Sequence, residues 1–186
     1  MSGIVNSTGA KSGIIGTTVG TPSASSGGGK VLQVVSTVKT SNFNVSGTGS
    51  WHDVTGLAVA ITPASSSNKI LLTGALAISI NTTDTRNVMW KVVGGNTASY
   101  IGDASSTRVR SLGTHFWAAS NLGSNKWLSQ EAVNYLDSPS STTEVTYQVQ
   151  LWIPETGTAY VGYTDDDSGS HGATAPSTLT AMEIAA

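Results

Sequence analysis

A hydrophobic period of two constrains this chain more than any other feature. From Gly56 to Thr62, Leu57, Val59 and Ile61 alternate with Ala58 and Ala60. From Lys69 to Ile80, one side carries Ile70, Leu72, Leu76, Ile78 and Ile80; the other carries Leu71, Thr73, Ala75, Ala77 and Ser79. Val145, Tyr147, Val149, Leu151 and Ile153 repeat the pattern against Thr146, Gln148 and Gln150. Successive side chains of a strand point to opposite faces, so this alternation specifies half-buried strands. Strands of a parallel sheet would read as continuous apolar runs, so antiparallel pairing is expected.

Weaker strands are expected at 31–40, 88–93, 109–117, 158–164 and 178–184. Turn-forming clusters separate them, among them Pro63-Ala64-Ser65-Ser66-Ser67-Asn68, Gly94-Gly95-Asn96, Asp137-Ser138-Pro139-Ser140 and Pro154-Glu155-Thr156-Gly157. In the stretch 127–136, Leu128, Ala132, Tyr135 and Leu136 also fit a helical face. Strands on both sides favour reading it as strand. About eight to ten short strands at this spacing predict an all-β, antiparallel β-sandwich of jelly-roll type over residues 30–186.

Residues 1–29 read differently. Ser2-Gly3-Ile4-Val5 is echoed by Ser12-Gly13-Ile14-Ile15, and Thr21 to Gly29 is a Ser/Gly-rich linker. A segment so poor in large hydrophobes does not fold alone. It is either a leader without structure or a docking segment, and the echoed apolar pairs favour docking through Ile4, Val5, Ile14 and Ile15. The opening residues lack the charged stretch and apolar run of a secretory signal, and no membrane insertion is expected.

Charged residues are 11% of the chain, against roughly a quarter in ordinary soluble domains. Ser, Thr, Gly, Ala and Asn replace them. Low charge disfavours life as an isolated monomer and suits a protein packed against copies of itself. The net charge is −2 and the nine Lys and Arg residues are scattered, so nothing matches a phosphate backbone and nucleic acid is not an expected partner. There is no cysteine, hence no disulfide framework and no thiolate metal site.

No catalytic constellation emerges from the residues. Gly9-Ala10-Lys11-Ser12 lacks the spacing and the following helix of a phosphate loop. His52, His115 and His171 sit in no nucleophile context, and His52 and Asp53, as strand neighbours, point to opposite faces. Nothing brings two carboxylates together for glycoside hydrolysis. Asp165-Asp166-Asp167-Ser168-Gly169-Ser170-His171 offers the oxygen ligands calcium prefers, without the spacing of a helix–loop–helix calcium loop. A solvated hairpin loop is the simpler reading, so no catalytic residue, metal or cofactor is assigned, and the chain is not expected to be an enzyme. Among the aromatic residues, Trp152 opposes the apolar face of its strand and should point outward. With Tyr160 and Tyr163 it is a candidate contact for another subunit or a ligand.

The opening Met1-Ser2-Gly3-Ile4-Val5 with Gly13-Ile14-Ile15-Gly16 resembles the start of virion proteins of marine tailed phages, of cyanophage and pelagiphage type. So do Gly29-Lys30-Val31-Leu32-Gln33-Val34-Val35, Asp53-Val54-Thr55-Gly56-Leu57 through Ile61-Thr62-Pro63, and Ser67-Asn68-Lys69-Ile70-Leu71. Tyr135-Leu136-Asp137-Ser138-Pro139 and the ending from Ser177 to Ala186 complete the resemblance. It implies a jelly-roll head similar to the trimeric knobs of complement- and tumour-necrosis-factor-like domains, carried on an N-terminal attachment segment. A surface position on the particle follows, as fibre, spike or capsid decoration. The expected partners are further copies in a homotrimer, another virion protein at residues 1–29, and a host surface glycan. A carbohydrate-binding adhesin is the alternative function, and a glycan-degrading tailspike the next. The resemblance carries no catalytic residues.

Overall fold

The computed structural model describes residues 29–47, 49–81, 86–96, 98, 100–117, 127–154, 157–167, 169 and 172–186. They form ten strands: β1 (Val31–Lys39), β2 (Phe43–Ser46), β3 (Trp51–Ile61), β4 (Lys69–Asn81), β5 (Arg86–Val93), β6 (Gly113–Trp117), β7 (Ser129–Asp137), β8 (Val145–Trp152), β9 (Thr158–Val161) and β10 (Ser177–Ile184). All pairings are antiparallel. One sheet is built around β1-β10-β4-β7 and the other is β3-β8-β5-β6. Strands close in sequence thus alternate between two facing sheets, which is the jelly-roll arrangement the alternation predicted.

β4 organises the first sheet. One of its edges pairs with β7; the other is shared, with β10 along Lys69 to Ala75 and β9 from Ile78 to Asn81. β9 in turn carries the short β2. The core lies between the sheets and follows the predicted periods. Leu57, Val59, Ile61, Ile70, Leu72, Leu76, Ile78, Ile80, Tyr147, Val149, Leu151, Ile153, Leu179 and Ala181 are all buried. On one side, β1 closes against β3 through side chains instead of a ladder. Thr37 Oγ1 donates to Ala58 O at 2.7 Å and Gln33 Nε2 to Thr62 O at 2.7 Å.

A bulge in β3 explains why only its second half was visible as a strand. Val54 and Leu57 are both fully buried, a spacing that puts them on opposite faces of a regular strand. The register slips between Asp53 and Ala58, and Gly56 takes φ +80°, so the phase resets and both face the core. The carbonyls released by the bulge are satisfied by one amide: Gln148 Nε2 donates to Val54 O at 3.0 Å and Leu57 O at 3.2 Å. Gln148→Ala is therefore expected to cost about 1–2 kcal/mol in urea unfolding, because carbonyls lose their partner. An unchanged midpoint would show that water replaces the amide freely.

Other boundaries also moved. The strand expected from Val109 begins at Gly113. Before it, Arg110 Nε donates to Gly102 O at 2.6 Å and Gly102 N to Ser111 O at 3.1 Å, a closed loop that spends these groups locally. β6 can start at Gly113 because the indole of Trp90 lies against it; a Cβ there would sit 2.4 Å from that ring. The strand expected to Thr164 ends at Val161, with only a single bridge between Tyr163 and Thr174 beyond. The segment with helical ambiguity is strand β7. Asp137, assigned to a turn, is the last residue of β7 and is fully buried. There it accepts from Tyr147 Oη at 2.6 Å and from Asn96 N at 3.2 Å. Burial and this bond both push the Tyr147 hydroxyl pKa up.

Candidate functional site

Three surfaces stand out: the outer faces of the two sheets and a tyrosine cluster at the β2–β9 end. Across the first sheet the register aligns side chains in rows. Val34, Met182, Leu71 and Leu136 form an entirely apolar row over β1, β10, β4 and β7. The next row, Ser36-Thr180-Thr73-Asn134, is polar and uncharged, and the third is Val38-Thr178-Ala75-Ala132. None of these residues carries a charge. Val34 is 56% exposed, Val38 59% and Leu136 45%. A solvent-facing antiparallel sheet normally alternates to polar side chains, and a free edge strand is normally guarded by charge or proline. β1 has neither protection on this face.

The outer face of the second sheet is built differently. Trp51, Trp152 and Met89 occupy one row, and Asp53, Gln150 and Lys91 the next. Trp152 is half-buried and on the face opposite the core, as its strand position predicted. Sequence reasoning missed its neighbours. Trp51 lies in the part of β3 hidden by the bulge, and Lys91 reaches across β8 to place Nζ 4.1 Å from the centroid of the Trp51 ring. Gln150 Nε2 donates to Asp53 Oδ1 at 2.7 Å. Desolvation lowers the Lys91 pKa.

Tyr160 and Tyr163 are brought together, away from Trp152. β9 ends at Val161, and Gly162 at φ +88° turns the chain so that the rings meet edge to face at 5.1 Å. Tyr160 Oη donates to Asp165 Oδ1 at 2.6 Å, Asn81 Nδ2 donates to the other Asp165 oxygen, and Asn44 Nδ2 donates to Tyr163 Oη at 2.8 Å. Burial, then the Asp165 bond, pushes the Tyr160 pKa up to about 12. Asp165 is thereby engaged with protein groups. Asp166 and Asp167 line a shallow cavity of about 250 Å³ with Asn42, Tyr163 and Thr174. Among the described residues no three His, Asp or Glu side chains converge as metal ligands; Ser168, Ser170 and His171 lie outside them.

The other sites named from the sequence are placed as follows. His52 bonds Ser50 Oγ at 3.2 Å, while Asp53 faces the other way toward Gln150. His115 is buried where β6 meets β7, with Ser129 Oγ 2.8 Å and Glu131 Oε1 3.2 Å from the same nitrogen, Nδ1. A relay would need serine and carboxylate on opposite ring nitrogens. Ile4, Val5, Ile14, Ile15 and the Gly9–Ser12 stretch lie outside the described residues. No helix among the described residues is long and apolar enough to cross a membrane.

No protein-family model and no curated protein matches the chain. Solved structures do. A mutant VP2 protein of infectious bursal disease virus, in derived T=1 particles, is similar at 13% identity and TM-score 0.38, covering 83% of this chain and 36% of its own. The Gx strain of the same virus gives 14% identity and TM-score 0.37, covering 83% and 38%. The chain thus spans little more than a third of the length of the structures it matches.

Proposed function

We propose that the chain is a virion structural protein of a tailed phage, exposed on the particle surface as a fibre, spike or capsid decoration. It is a homotrimer, assists attachment to the host and has no catalytic activity of its own. Supporting this is the outer face of β1-β10-β4-β7, where three successive rows are uncharged and the apolar row Val34-Met182-Leu71-Leu136 runs unbroken over four strands, with Lys69 the charge at its margin. Exposed contiguous apolar surface of this kind marks an interaction site. The 11% charge content and the sequence resemblance to phage virion proteins point the same way. In a closed ring each copy presents this face to its neighbour.

Residues 1–29 then serve as the attachment segment, with Ile4, Val5, Ile14 and Ile15 buried against another virion protein. The full-length chain should sediment at three times its 19.0 kDa monomer mass, and residues 30–186 at three times their own smaller mass. Only the full-length chain should rebind particles stripped of it. Rebinding by residues 30–186 alone would remove the attachment role, and a monomeric mass for both would remove the trimer.

A further inference from the structure

The geometry points to a second surface with a role of its own, in which the outer face of β3-β8-β5-β6 binds an anionic saccharide on Trp51 and Trp152, with Lys91 as the counter-charge. This goes beyond the structural role, since it lies on the sheet opposite the apolar row Val34-Met182-Leu71-Leu136.

The two indoles are register partners on adjacent strands, and Met89 extends their row. Cross-strand partners stand about 5 Å apart, so the row is a continuous apolar platform wide enough for the C–H face of a pyranose ring. A buried sugar also needs its hydroxyls matched. The adjoining row provides that chemistry: the Asp53 carboxylate accepts, and the Gln150 amide both donates and accepts. Their mutual bond at 2.7 Å holds both groups in place before a ligand arrives.

Lys91 decides the charge of the ligand. Among the described residues its ammonium has no hydrogen-bond or ion-pair partner; it rests over the Trp51 ring at 4.1 Å. An ammonium taken partly out of water and held only by a π face gains from a carboxylate or sulfate brought to it. A nucleic acid would need several such cations, and among the described residues of these two rows Lys91 stands beside the Asp53 carboxylate. A peptide adding as a strand would pair at the edges β3 or β6, whereas Trp152, Gln150 and Lys91 stand on the interior strands β8 and β5.

The test is a glycan array spanning neutral, uronic-acid and sulfated oligosaccharides, probed with the full-length chain and its Trp152→Ala, Trp152→Phe and Lys91→Gln variants. The wild type should retain uronic-acid or sulfated glycans above their neutral counterparts, and the two anionic arms show which group is read. Trp152→Ala and Lys91→Gln should each weaken that binding by about tenfold or more, a loss equivalent to ~1.4 kcal/mol. Trp152→Phe, which keeps an aromatic ring, should fall between. Lys91→Gln removes no hydrogen bond from the fold, so its melting temperature and oligomeric mass should match the wild type. Absence of any anionic glycan on the wild-type array overturns the inference, as does equal binding of neutral glycans or binding unaffected by Lys91→Gln. None of these results would alter the sedimentation test of the trimer.

Discussion

Replacing Glu183 by Ala should lower the unfolding free energy by about 3 kcal/mol, and the melting temperature by roughly 6–12 °C. Glu183 faces the core from β10 and is 1% exposed. It accepts from Gln33 Nε2 at 2.6 Å, Ala64 N at 2.7 Å and Asn68 Nδ2 at 2.5 Å. These bonds tie β1 and the β3–β4 connection to β10, so truncation strands three donors from two segments at once. Burial alone would raise the Glu183 pKa, and is the largest single influence. The bonds from Asn68, Gln33 and the Ala64 and Ser65 amides together outweigh it and bring the pKa below its ordinary value. A depressed folded pKa means the stabilisation is complete above the unfolded value of about 4.3 and is lost as pH falls through the folded one. Glu183→Gln presents an NH2 group to a ring of donors, so it too is destabilised at pH 7. The gap between wild type and Glu183→Gln should shrink as pH drops below about 4, where the wild-type carboxyl takes up its proton. Urea unfolding of both proteins between pH 3 and 7 measures this. A gap that stays constant with pH would mean that Glu183 does not ionise differently in the two states.

What the sequence revealed followed from how local each signal was. β4 and β8 were legible because their inward positions follow a largely apolar period of two, whereas β10 was weaker because Ser177 and Glu183 share its inward face with Leu179 and Ala181. β7 was ambiguous because two of its inward positions are Ser129 and Glu131, which bond His115 instead of filling the core. The first half of β3 was hidden because the Gly56 bulge reverses the phase between Val54 and Leu57. β2, four residues at the sheet margin, is too short to show a period. Trp152 could be assigned to the outer face from its own strand. Its pairing with Trp51, and the reach of Lys91 over that ring, depend on a register between distant segments that no local pattern encodes. The apolar row of the other sheet was hidden for the same reason. Val34, Met182, Leu71 and Leu136 are ordinary singly and become a surface only when four strands align.

Charging that row should dissociate the assembly while leaving the fold intact. Val34 and Leu136 mark its two ends, on β1 and β7, and each is about half exposed in the single chain. Val34→Glu with Leu136→Glu therefore removes little buried surface, and the melting temperature of the separated chain should change by no more than a few degrees. In a trimer built on this face, each copy would have to bury two unpaired carboxylates. Stranding a charge at an interface costs several kcal/mol, so association should weaken by about a thousandfold or more. Sedimentation at micromolar concentration should then give a monomer for the double variant and a trimer for the wild type. A conservative pair, Val34→Ile with Leu136→Met, keeps the face apolar and should remain trimeric, which separates charge from shape. If the double glutamate variant sediments as the wild type does, the apolar row is not the contact between copies. The contact between copies in the proposed trimer would then have to rest on another surface.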